Sequence, residues 1–475
     1  MTSIPTALLW YRRDLRVHDH PALARALAEF ERVVAVFVLD DALLHGRFAS
    51  GSRTRFMLGC LRALDDALRE RGSALVLRHG TPERELPALA QHVGAGAVFW
   101  TSDVTPFARA RDGRVTEALR AAGVAARPTT GAYCVDVSLP HTKAGRPFTV
   151  FTPFWKAWEQ LERRGPAPTP RALAPLPDGL DAGRLPTADE LGVEGGVVDL
   201  AVIAGEPAAR DALALWLHDG VDRYGDRHDA MGRPSTSVLS PHLRWGTISA
   251  GECERRARER GGAGAAAWVR QLCWREFYAH VLLTHPHNVR HEHQQRYRDG
   301  RLQWDDDPEL LGAWQAGATG YPIVDAGMRE LAATGWMHNR ARLIVGSFLT
   351  KDLHLDWRAG EAWFERLLLD GEPAQNNGNW QWIASVGVDP APAFRRIYNP
   401  ALQQARHDPT GAYVRRWVPE LGEVPDERLA QPWEMTQAQQ REASCVIERD
   451  YPAPIVDHAE ERRHALERYR AAGAG

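Results

Sequence analysis

Leu367-Leu-Leu-Asp-Gly-Glu-Pro-Ala-Gln-Asn-Asn-Gly-Asn-Trp-Gln-Trp382 changes character partway along. An apolar run ends at Asp370-Gly371, a turn dipeptide, and the chain then turns to amides, a carboxylate, glycine and two indoles. Asn-Asn-Gly alone would read as a solvated loop leading into a helix. Trp380 and Trp382 directly after it oppose that reading, because exposed loops seldom present indoles with nothing to cover them. The stretch reads as polar recognition chemistry beside an aromatic surface.

The chain around it divides in two. At 475 residues it exceeds one typical core, so two domains are expected. Fifteen of the 17 tryptophans lie from Trp155 onward, which puts the aromatic chemistry in the later part. Beyond Leu200 helical periodicity dominates, as in Val324, Met328 and Leu331 behind Pro322, and convincing strands disappear. Upstream, Ala7 to Tyr11, Val33 to Leu39, Ala74 to Leu77 and Ala97 to Trp100 are short apolar runs suited to buried strands. Helical patterns such as Pro21 to Phe30 and Arg53 to Glu70 alternate with them. The expected fold is an α/β N-terminal domain with a parallel, doubly wound, Rossmann-like sheet over 1–130. An interdomain connection over 131–199, rich in Pro and Gly, carries a helix and the aromatics Phe148, Phe151, Phe154, Trp155 and Trp158. An all-α domain follows over 200–475. No G-x-G-x-x-G follows the first strand, where Arg12-Arg13-Asp14-Leu15-Arg16 stands instead, so a nicotinamide dinucleotide site is not expected. A ligand could still sit at the carboxyl ends of the strands, near Arg13, Asp40 and Asp103.

Composition excludes several classes. Hydrophobic residues at 44% and charged residues at 25% describe an ordinary globular protein. No apolar run approaches a membrane span and no basic-then-apolar leader opens the chain, so a cytoplasmic protein without membrane contact is expected. The five cysteines are widely spaced and form no C-x-x-C, which indicates neither a zinc site nor a disulfide framework. Net charge is −3, and only three of the 58 basic residues are lysines. Nucleic-acid binding would therefore need a local patch. His285, His287, His291 and His293 have spacings that could serve a metal, but Pro286 makes a polar loop the favoured reading, and no metal is expected. Ser235-Thr236-Ser237-Val238-Leu239-Ser240-Pro241 is a better candidate. Hydroxyls and backbone N–H groups ahead of a helix can hold phosphate, although such a sequence alone is more often an N-cap.

Several long motifs then converge in order. Trp268 to Phe277 (W-V-R-Q-L-C-W-R-E-F), Gly320 to Asp325 (G-Y-P-I-V-D), Gly335 to Arg340 (G-W-M-H-N-R), Ser347 to Trp357 (S-F-L-T-K-D-L-H-L-D-W) and N-N-G-N-W-Q-W resemble the DNA photolyase/cryptochrome family. The N-terminal W-Y-R-R-D-L-R and the Tyr451 to His458 segment extend the resemblance over nearly the whole chain. It implies an antenna domain followed by a helical domain that holds FAD, working as FADH⁻. Tyr224, Thr236, Ser237, Val238, Leu239, Ser240, Trp268, Arg275, Asn339, Arg342, Asp370 and Glu372 would bind the cofactor. Arg342 and Asp370 would pair beside the ring system and Asn376 would face flavin N5. Trp380, Trp357 and Trp304 would relay electrons from the surface, although for an arbitrary helical domain such tryptophans are ordinary core.

Within the family, the resemblance implies light-driven repair of cyclobutane pyrimidine dimers in UV-damaged DNA by a monomeric deoxyribodipyrimidine photo-lyase. The dimer would be flipped from the duplex, as photolyases do. Trp274 and Trp382 would wall it, with Gln271, Asn339, Arg340 and Leu343 in contact. Arg340, Arg395 and Arg396 are candidates for flanking phosphates. Asn339 stands where (6-4) photolyases carry a second histidine, and Asn376 where plant cryptochromes carry an aspartate. With only a short remainder beyond the family body, a long signalling tail is not expected. Gln271 replaces the glutamate of many dimer photolyases, and Leu343 their methionine. A cryptochrome-like photoreceptor and a (6-4) photolyase are the alternative readings. Arg13, Phe37, Asp40 and Asp103 would belong to an antenna site, of deazaflavin rather than folate type.

Overall fold

The strands and helices of the N-terminal half follow from alternation. In β1 (Thr6–Tyr11), Ala7, Leu9 and Tyr11 enter one core while Leu8 and Trp10 enter another, so both sheet faces are buried. β2 (Arg32–Leu39), β3 (Leu75–His79), β4 (Ala95–Thr101) and β5 (Ala125–Thr129) complete a parallel sheet of order β3-β2-β1-β4-β5. Helices Pro21–Glu29 and Gly51–Arg69 cover the first face, and Pro82–Val93 and Pro106–Ala121 the second. This computed structural model describes residues 4–47, 49–193, 195–197 and 200–473. Four of the strands match apolar runs in the sequence. The fifth, Ala125–Thr129, escaped that reading because it is an edge strand, half exposed and carrying Pro128, which an edge tolerates. The strand order reverses between β1 and β4, and Arg13 and Asp103 stand just beyond their carboxyl ends.

The 131–199 connection divides its allegiance. Its helix Phe151–Glu159 packs on the long helix Gly262–Thr284, where Phe151 stacks on Trp274 at 3.6 Å and 6°. Further on, Leu173, Leu191 and Val193 join the first sheet core, and Leu77 N–H donates to Ala182 O at 2.7 Å. The anchor of the helical portion is Glu276, fully buried. Its carboxylate accepts from the indole Nε1 of Trp158 at 2.7 Å and from the backbone N–H of Cys134 and of Val135. Glu276→Ala strands three buried donors, at about 1–3 kcal/mol each before relaxation. A fall in thermal midpoint of several degrees is expected, whereas Glu276→Gln, which keeps an acceptor oxygen, should fall by clearly less.

The rest of the chain is helical. Among the described residues after position 200, β-structure consists of the isolated bridges Asp305↔Leu355 and Ile447↔Tyr451. The two halves meet at a seam built from both. Leu369 and Trp245 belong to the core under the sheet, and Arg13 bridges Asp103 and Glu372, at 3.1 Å each. Arg53 likewise reaches the carboxylate of Glu365 at 3.3 Å. Among the described residues no helix is long and apolar enough to cross a membrane.

Candidate active site

A cleft of about 430 Å³ opens in the helical half. One wall is the loop 235–240. Ser235 donates its hydroxyl to Ala230 O at 2.8 Å, and Val238 is held at φ +50, a conformation that β-branched residues rarely adopt. Thr236, Ser237, Val238, Leu239 and Ser240 all line the cleft, ahead of the short helix Ser240–Trp245. Arg244, near the end of that helix, lines it too. Its Nε donates to Gly371 O at 2.7 Å, while its buried Nη1 has no partner within the chain. Burial beside Arg13 and Arg53 pushes this guanidinium down to about 9. A buried guanidinium with one open nitrogen near a hydroxyl-rich loop is suited to a bound anion.

A second wall carries an ion pair. Arg342 holds Asp370 through two hydrogen bonds, Nη1 to Oδ1 at 3.1 Å and Nη2 to Oδ2 at 2.8 Å, with Asp370 only 5% exposed. Both line the cleft with Glu372, Trp268, Tyr224, Arg275 and Asn339. The donor set as a whole suits a large dinucleotide. Hydroxyls and an open guanidinium would suit phosphates, a fork of donors and carboxylates would suit a polar ring edge, and Trp268, Leu272 and Tyr278 offer apolar surface.

The helix Pro373–Ile383 sorts the opening stretch by its period. Glu372 caps it, accepting from Gln375 N–H at 3.0 Å. Gln375, Asn379 and Trp382 recur at steps of four and three and line the cleft with Glu372. Asn376, Trp380 and Ile383 recur at the same steps one residue out of phase and are buried on the other side. Asn376 is absent from the cleft walls. Its amide nitrogen donates to Glu361 O at 2.9 Å and to the Glu365 carboxylate at 3.2 Å. Trp380 packs edge-on against Phe364 and Trp314, and a Cβ on Gly360 would clash with its ring. Trp357 begins the helix that carries Gly360 and is fully buried, while Trp304, half-buried, adjoins the Asp305↔Leu355 bridge.

Gln271, Trp274, Leu343 and Trp382 line the same cleft, and both indoles are half-buried. The phosphate candidates separate. Arg340 is paired with Asp229 and stands outside the cleft walls, and Arg395 is exposed. Arg396 is 2% exposed, bonds Asp389 and lies 4.2 Å over the Trp382 ring. A buried, paired guanidinium braces that indole and is poorly placed to meet DNA phosphate, which corrects the sequence expectation. The antenna candidates also spread out. Arg13 and Asp103 are spent on the seam ion pair, Phe37 is buried in β2, and Asp40 caps the next turn by accepting from Ala42 N–H at 3.0 Å.

Sequence reading missed Leu243, Arg244, Leu272, Tyr278, Trp336, Met337, Gln375 and Asn379 as cleft residues. Gln375 and Asn379 could have been found from helical spacing to Trp382. Arg244 carried no signal, since arginine is common throughout this chain. The histidine loop is tighter than a polar loop need be, with the rings of His285 and His293 at 4.8 Å and those of His287 and His293 at 6.2 Å.

Comparison with known proteins agrees with this geometry. Residues 7–174 match the family model described as DNA photolyase, and residues 268–471 the one described as FAD binding domain of DNA photolyase. A deoxyribodipyrimidine photo-lyase of Streptomyces griseus is 41% identical over 96% of this chain and 97% of its own. A class III photolyase from Agrobacterium tumefaciens superimposes with a TM-score of 0.93 at 34% identity, covering 100% of this chain and 99% of that one. A Synechocystis cryptochrome superimposes at 0.90 with 29% identity, covering 98% and 100%. A cleft suited to a dinucleotide thus lies largely within the segment that matches an FAD-binding model, and the chain belongs to the DNA photolyase family.

Proposed function

We propose that the protein repairs cyclobutane pyrimidine dimers in UV-damaged DNA, as a light-driven carbon–carbon lyase. The observation that carries this reading is that Trp274 and Trp382 line the same cleft as the 235–240 loop and the Arg342–Asp370 pair. A flavin and a flat lesion would then share one enclosed space. Bound FAD in its reduced form supplies a light-excited electron that splits the cyclobutane ring and is afterwards recovered.

The chain's own residues do the rest. Thr236, Ser237, Ser240 and Arg244 hold the diphosphate, and Arg342 with Asp370 fixes the ring edge. Trp274, rigid against Phe151, and Trp382, braced by Arg396, take the unstacked bases between them. Gln271 offers an amide N–H to a pyrimidine carbonyl. Among the described residues no histidine lines the cleft, and His338 next to it is pushed down to about 4 by burial. That lack of an imidazolium acid favours dimer repair over the (6-4) reaction. We further propose the relay Trp304, Trp357, Trp380 for flavin reduction. We also propose a second, antenna chromophore at the α/β domain, of deazaflavin rather than folate type.

The test is illumination of the reduced protein with dimer-containing oligothymidylate, following recovery of the thymine absorbance band. Full recovery supports repair, and none with fully reduced flavin sinks it in favour of a cryptochrome-like photoreceptor. Trp274→Ala should weaken binding of that oligonucleotide roughly tenfold to a hundredfold, since stacking is worth about 1–3 kcal/mol per base, and leave flavin content near normal.

We also propose that Asn376 acts on flavin N5 from behind the cleft wall, so Asn376→Asp should make the bound flavin harder to reduce. The new carboxylate joins Glu361, pushed up to about 7 by burial, and Glu365, so its own proton is held tightly. The shift in potential should therefore grow as pH rises through and above neutrality. Spectroelectrochemistry giving the wild-type potential at alkaline pH would remove Asn376 from the flavin's surroundings.

A further inference from the structure

Outside the cleft, His354, Glu461 and His464 bring three metal-ligating atoms within 4.8 Å of one another. His354 Nε2 lies 2.8 Å from Glu461 Oε2, and His464 Nδ1 lies 3.1 Å from the same oxygen. Glu461 and His464 are three apart on the C-terminal helix His458–Gly473, hence on one face. His354 arrives from a different element, the loop that enters the helix Trp357–Leu367. Its backbone is tightly determined. The residue sits at φ +54, and its carbonyl accepts the Asp305 N–H at 2.9 Å beside the isolated Asp305↔Leu355 bridge.

Exposure is graded across the cluster. The His354 side chain is 7% exposed, Glu461 20% and His464 53%, so one ligand is fixed in the protein and one stands at the rim. The nearby cation Arg468 is already neutralised by a two-bond pair with Asp305, at 2.8 Å each. Two imidazoles and a carboxylate are the donor set of borderline divalent ions such as zinc, whereas calcium and magnesium want oxygens alone.

We propose that His354, Glu461 and His464 bind one divalent transition-metal ion of the zinc class, which ties the C-terminal helix to the loop ahead of Trp357. Metal–ligand bonds of about 2.0–2.2 Å require donor atoms about 3–3.6 Å apart. Two of the three pairs already stand near that spacing, and the exposed His464 can swing to close the third. Both imidazoles bind through a ring nitrogen lone pair, with the ring proton on the other nitrogen, and Glu461 gives up its two internal hydrogen bonds for one metal bond. Solvent completes the coordination at the His464 side.

The experiment uses the full-length flavoprotein, stripped with EDTA and titrated with ZnCl2 by calorimetry and with CoCl2 by visible absorption. One equivalent of zinc is expected, with cobalt bands of four- or five-coordinate intensity and a zinc-dependent rise in thermal midpoint. His464→Ala, at an exposed position, should weaken zinc binding more than about tenfold and abolish that rise while keeping its flavin. Glu461→Gln should do the same, and His287→Ala, in the separate histidine loop, should not. The proposal is overturned by absence of stoichiometric zinc binding at millimolar concentration. It is equally overturned by unchanged affinity in His464→Ala, or by loss of binding in His287→Ala instead.

Discussion

Arg342→Ala is expected to come off the purification column nearly free of flavin. Arg342 and Asp370 form a two-bond pair in the cleft wall, with Asp370 only 5% exposed. Removing the guanidinium leaves a buried carboxylate without its cation, a loss of about 3–5 kcal/mol for pairs of this kind. It also removes a donor to Met337 O at 2.9 Å, which holds the start of the helix Asn339–Ser347 in place. If most of that loss appears in the affinity for FAD, the dissociation constant rises roughly a hundredfold to a few thousandfold. The flavin-to-protein absorbance ratio reads occupancy, and fluorescence titration of the apoprotein gives the constant. Arg342→Lys should fall between, because an ammonium keeps the charge and loses the fork. Wild-type occupancy in Arg342→Ala would place the cofactor elsewhere.

Trp380→Phe is expected to abolish light-driven reduction of oxidised FAD by an external donor while the protein stays folded and flavin-loaded. The substitution is gentle in packing terms. Phe keeps the edge-on contacts with Phe364 and Trp314, and the indole Nε1 that disappears has no hydrogen-bond partner within the chain. Trimming a ring there costs about 1–3 kcal/mol of stability at most. What vanishes is the oxidisable indole on the buried side of its helix. Bleaching of the blue flavin band under illumination measures the effect. Repair by protein reduced beforehand with dithionite should continue at near the wild-type rate, which separates the relay from the chemistry on DNA. Undiminished photoreduction would leave Trp380 a core residue.

Much of this architecture is legible in the residues, and the exceptions have physical causes. Alternation across β1 and the apolar runs of β2 to β4 are strong signals because both sheet faces are buried. β5 is weak because an edge strand needs no apolar face. The aromatics at 148–158 were visible as a cluster, but their partner could not be read, since Phe151 meets Trp274 more than a hundred residues away. Charged residues were the least legible. Arg13 and Asp103 carry the residue types of a ligand site, yet in the fold they answer each other and Glu372. Arg396 reads as a DNA contact and is instead buried over Trp382. Sequence shows that a charge exists. Its partner is set by tertiary packing.

The helix Pro373–Ile383 has eleven residues and two duties, one on each side. Each residue advances a helix by about 100°. A single insertion ahead of Trp380 would therefore swing Trp382 to the core-facing position of Ile383 and carry Trp380 off its seat on Gly360 to the buried position of Gln381, disrupting both environments at once. Substitutions along this segment can be absorbed one position at a time, but a change of length cannot. Drift in this protein should thus spare the spacing from Glu372 to Trp382 even where the side chains between them vary, and any engineered graft of the segment must keep its residue count.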